Sequence, residues 1–137
     1  MNYIELLKEI NKAAKRIKLV NSVFDGDVYT NWNTETVSYG SVNIGLEDMT
    51  KSENTITYNL ILYYGDRLLQ DKSNINSIWV DGFNVLQSII NGLPDEISYK
   101  TPITYIPFEQ KFADYLAGVY VRVGIEIDYN LGSCEMV

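Results

Sequence analysis

A chain of 137 residues, 46% apolar and 21% charged, has the make-up of one globular domain and enough length to bury a sizeable core. It holds a single cysteine, Cys134, and no histidine, which excludes an internal disulfide, imidazole acid–base chemistry and a histidine metal ligand. The formal charge of −7 is unevenly divided: residues 1–18 carry five bases and two acids, the remainder six bases and sixteen acids, a balance that opposes tight binding to a phosphate backbone.

In chain order, Asn2 is a cap for a first helix whose apolar positions Tyr3, Leu6, Leu7, Ile10, Ala13, Ala14 and Ile17 recur at threes and fours. Glu5, Lys8, Glu9, Lys12, Lys15 and Arg16 fill its other face. These early charges lack the basic-then-apolar layout of a signal peptide. No apolar run approaches the roughly 18 to 20 residues of a membrane helix, so cytosolic synthesis and no membrane partner are expected. Leu19 to Phe24 reads as a short strand ended by the Asp25-Gly26-Asp27 turn signal. Residues 25–35 are polar with Tyr29 and Trp32 embedded, and read as a long loop.

Val37 and Tyr39, then Val42, Ile44 and Leu46, alternate in opposite phase, which predicts a strand with a bulge at Gly40-Ser41. Glu47 to Asn54 reads as a connection. Thr55 to Tyr64 is a strand with Ile56, Tyr58, Leu60 and Leu62 on one face and Ile61 and Tyr63 on the other, the pattern of a central strand or of one with one face inside the domain and the other against a neighbour. Gly65-Asp66 reads as its end. Asp71 to Asn74 gives helix-start signals, and Ile75, Ile78, Trp79, Phe83, Leu86, Ile89 and Ile90 follow helical spacing. Gly82 weakens that helix by about 1 kcal/mol relative to alanine, a cost that a close helix–sheet approach explains. A strand containing Pro102 is expected over Ile97 to Ile106, at an edge. The last strand turns Val119, Val121, Val123, Ile125 and Ile127 inward, with Tyr120, Arg122 and Glu126 outward. The expected fold is a single α+β domain over residues 1–137, order α-β-β-β-α-β-β, with two helices packed on a mostly antiparallel sheet.

The acid pairs Asp25/Asp27, Glu47/Asp48 and Asp95/Glu96 each sit in turn-forming sequence and read as solvated loop acids. Neither a serine elbow nor a phosphate-cradling glycine loop is present. No catalytic, metal or cofactor residues are assigned, and the expectation is a non-enzyme without a cofactor. Eleven tyrosines, two of them on the outer faces at Tyr63 and Tyr120, favour assembly with other proteins.

Tyr63 to Ile90 (YYGDRLLQDKSNINSIWVDGFNVLQSII), Phe108 to Ile127 (FEQKFADYLAGVYVRVGIEI) and Asn130 to Cys134 (NLGSC) resemble segments of phage neck and tail proteins. The chain is similar to the tail-completion or tail-terminator class of tailed bacteriophages, above all to structural ring proteins of phages of Bacteroides-type hosts, crAss-like phages included. The resemblance implies a virion subunit that forms a closed ring of six or twelve copies at the portal–neck–tail junction. Such a ring meets adjacent neck, portal-side or tail proteins and lets DNA pass without specific binding. The candidate assembly residues are Lys12, Lys15 and Arg16 on the first helix, Tyr29 and Trp32 in the loop, Tyr63, Asp66 and Arg67 at the strand-to-helix junction, and Tyr120 and Arg122 on the last strand. The loop is expected to dock on the next ring or reach the lumen. A receptor- or glycan-binding module and a small carboxylate-dependent enzyme are the alternatives.

Overall fold

The first amphipathic pattern forms helix α1, Tyr3–Lys15, in a computed structural model that describes residues 1–34 and 37–128. Glu35, Tyr129 and the Asn130 to Cys134 segment lie outside the described residues. Asn2 caps α1, its side-chain oxygen accepting from the Glu5 N–H at 2.9 Å. Leu6, Ile10, Ala13 and Ala14 are buried, as the spacing requires.

Strand β1 (Ser22–Asp25) leads through Gly26, whose φ of 106° makes the turn, into a short helix α2 (Val28–Trp32). Strands β2 (Ser41–Lys51) and β3 (Thr55–Arg67) form a long hairpin, and helix α3 spans Ile75–Asn91. Strands β4 (Ser98–Tyr99), β5 (Tyr105–Lys111) and β6 (Tyr115–Asp128) complete the fold. The sheet runs β1-β2-β3-β6-β4, and β5 shares with β4 the outer side of β6. All pairs are antiparallel except β1 with β2. The chain is thus a single α+β domain with a mostly antiparallel open sheet and three helices.

The observed order is α-β-α-β-β-α-β-β-β, which corrects the sequence expectation in four places. The polar stretch after Asp27 contains α2. Val37 and Tyr39 precede β2, and its register shift falls between Leu46 and Asp48 instead of at Gly40-Ser41. Residues expected to connect β2 to β3 instead extend β2 to Lys51, because β3 offers a full row of partners there, Met49 opposite Tyr58 and Thr50 opposite Thr57. The strand expected around Pro102 is two short pieces, β4 and β5, with Pro102 between them. Pro107 lies inside β5, at the sheet edge where a missing N–H is tolerated.

Alternation along β3 and β6 divides the core in two. Tyr58, Leu60, Leu62 and Tyr64 of β3, with Val119 to Ile127 of β6, face α1 and α3 in the main core. On the opposite face Val28 and Trp32 of α2 meet Phe112 and Leu116 in a second cluster, flanked by Tyr63 and Phe108. Gly82 is where α3 comes nearest the sheet: a Cβ there would lie 2.8 Å from Val119 Cγ2. Both the expected helix–sheet approach and the inward and outward residues of the last strand are observed.

Candidate assembly surfaces

Helix α2 explains the second face. Asp27 caps it through the Thr30 N–H and hydroxyl, and the i, i+4 pair Val28 and Trp32 turns toward the sheet. Its polar residues are consumed locally. Asn31 donates to Asn43 Oδ1 at 2.8 Å, Asn43 donates to the Gly26 carbonyl, and Trp32 Nε1 donates to Ser41 Oγ at 3.0 Å. Ser41 and Asn43 are fully buried by this network. Gly65 leaves the slot for the indole, since a Cβ there would lie 2.8 Å from Trp32 Cη2. Gly65 and Asp66 accordingly remain in β3 and do not end it.

Trp32, expected in an exposed docking loop, is 0% exposed. Tyr29 is half-exposed and stands at the mouth of an aromatic pocket of about 280 Å³ with Tyr63, Phe108, Phe112, Tyr120 and Arg122. Gln110 donates to the Tyr29 hydroxyl at 3.3 Å. The Arg122 guanidinium lies 5.5 Å from the centroid of the Tyr120 ring and pairs with Glu47 across the sheet at 3.1 Å. Burial, then the nearby Tyr29 hydroxyl, pushes the Tyr63 phenol above its ordinary range. Four predicted residues, Tyr29, Tyr63, Tyr120 and Arg122, are therefore brought together here.

Lys12, Lys15 and Arg16 form a separate patch. They line a shallow groove along α1 with Ile4, Leu7 and Lys8, and Ile4, at its N-terminal end, is 64% exposed. Among the described residues none of the five bases in residues 1–18 is in an ion pair, whereas Arg67, Lys72, Lys100 and Arg122 each have one.

Asp66 and Arg67 occupy a third place, the corner between β3 and α3. Asn74 pins that corner, accepting from the Leu69 N–H and donating to the Arg67 carbonyl, so its side chain braces the loop and does not cap the helix. Arg67 reaches Asp114 at 3.3 Å and lies over the Tyr39 ring. Tyr39 in turn donates to Asp114 at 3.1 Å, and burial together with that bond raises its phenol to about 12. Burial, and then the neighbouring Asp81, raises the Asp66 carboxyl above the usual carboxylate range.

Sequence reasoning missed Phe108, Phe112 and Gln110 of the pocket. Phe108 reaches the second face only because β5 aligns it with Gly118, a register that no local pattern reveals. Two of the three acid pairs serve structural ends: Asp27 caps α2, Asp48 accepts from Asn59, and Glu47 holds Arg122. No helix among the described residues is long and apolar enough to cross a membrane. No protein-family model matches the chain, and no curated protein is found to be similar to it.

Proposed function

We propose that this chain is a structural subunit of a phage virion ring at the portal–neck–tail junction, of the tail-terminator or connector kind, joining adjacent rings around a DNA channel. The observation that carries this reading is the presence of two unlike surfaces on one small domain: a basic flank on α1 whose bases are in no ion pair among the described residues, and a net acidic remainder. A head-to-tail ring needs two such complementary patches on every copy. Two of the three segments that carry the phage resemblance fall on the pinned β3–α3 corner and on the β5–β6 hairpin, both parts of the framework and not loop insertions. An acidic lumen suits the reading, because DNA passes a surface that neutralises no phosphates.

Electron microscopy of the purified chain at low ionic strength tests this. Closed rings with a central channel are expected; isolated monomers or open filaments at every concentration contradict it. The aromatic pocket favours one second reading, a glycan-binding module in which Tyr29 and Tyr63 stack on a sugar. A glycan array with no binding, set against closed rings, decides between the two.

A further inference from the structure

We propose that the basic flank of α1 seats on the Asp66–Asp81 corner of a second copy of this chain. The contact specifies which surfaces meet in the ring, and it rests on that reading only for closure into a ring.

The donor side is Ile4 and Leu7 bordered by Lys8, Lys12, Lys15 and Arg16, on a groove lined by α1 alone. Ala13 faces the other way, toward α3, where a Cβ on Gly92 would lie 3.6 Å from it. Among the described residues none of the bases on this flank is in an ion pair. The acceptor corner is acidic, with two partly exposed carboxylates. Asp66 lies two residues beyond Tyr64, on the same face of β3. Gly82 packs against Tyr64, a Cβ there reaching within 3.2 Å of the ring, which brings Asp81 to that corner. Neither acid is in an ion pair among the described residues, since Arg67 turns instead to Asp114. Val80, next to Asp81 in the chain, is 60% exposed.

Complementary charge is the arrangement that orients one protein surface on another. Nucleic acid is the weaker occupant: the rest of the chain is strongly acidic, and no aromatic ring lines the groove to stack on a base. Because donor and acceptor are different patches, the contact is heterologous and repeats from copy to copy.

The test is charge exchange, read by sedimentation velocity at low and high salt, with circular dichroism to show that each variant is folded. Lys12→Glu with Lys15→Glu weakens assembly by at least about tenfold, and Asp81→Lys does the same. The chain carrying all three changes reassembles. A folded K12E/K15E chain that assembles like the parent, or a parent that stays monomeric at low salt, overturns the contact. So does a parent that binds duplex DNA through these lysines without self-associating. Closed rings indifferent to the exchange sink this contact and leave the ring reading intact. Open head-to-tail filaments that respond to the exchange as expected keep the contact and sink the ring reading, and twofold dimers overturn both.

Discussion

At Gly82 two effects of similar size oppose one another, and the geometry decides between them. Alanine in place of glycine favours a helix by about 1 kcal/mol. The added methyl would sit 2.8 Å from Val119 Cγ2 and 3.1 Å from its Cβ, and overpacking of that kind costs about 1–3 kcal/mol. Gly82→Ala is therefore expected to lower stability by up to about 2 kcal/mol in urea unfolding; a gain would show that α3 can lift from the sheet without loss. Tyr39 makes a second prediction at this scale. Its phenol is raised from 10.0 to about 12 in the folded chain, so the stabilisation from its protonated form is complete below the unfolded value and fades as pH rises through the folded one. Stability should fall between pH 10 and about 12, and Tyr39→Phe should flatten that decline. The decline does not vanish, because burial raises Tyr3, Tyr63, Tyr64 and Tyr105 in the same direction. An unchanged slope, measured by urea unfolding across this range, would remove Tyr39 from the account.

Among the elements, those with a strong internal period were legible in the sequence. The threes and fours of α1 and α3, and the alternation of β3 and β6, state both the element and the face it buries. What depended on a distant partner was hidden. Helix α2 spans five residues, too short to show a period, and its polar side chains look like loop chemistry until Asn43, Ser41 and Gly65 of the sheet are placed beside them. The end of β2 was hidden likewise, because its polar residues are held by pairing to β3 and not by their own propensity. The candidate surfaces divide on the same line. The charge flank of α1 follows from helical spacing, whereas the aromatic pocket needs the β5–β6 register. Because α2 fills the second core instead of forming a docking loop, Trp32→Ala should cost about 3–5 kcal/mol in urea unfolding. Trp32→Phe should cost less, since Ser41 keeps its bond to Ser22 when the indole N–H is gone. Equal and small losses in both variants would mean that α2 is dispensable to the fold.

At the scale of the whole molecule, the chain is one α+β domain with a net basic first helix and a net acidic remainder, and among the described residues the bases of that helix are in no ion pair. Screening by salt weakens attraction between such surfaces beyond a Debye length of about 8–10 Å near physiological ionic strength. Assembly through them is thus expected to weaken as salt is added, while the hydrophobically held fold persists. The most direct measurement is the mass of the native species at low ionic strength, by native mass spectrometry of the unmodified chain. A single closed species of six or twelve copies of the 15.7 kDa subunit is expected, shifting toward monomer as salt rises. A chain that remains monomeric, or stops at a dimer, would contradict the account.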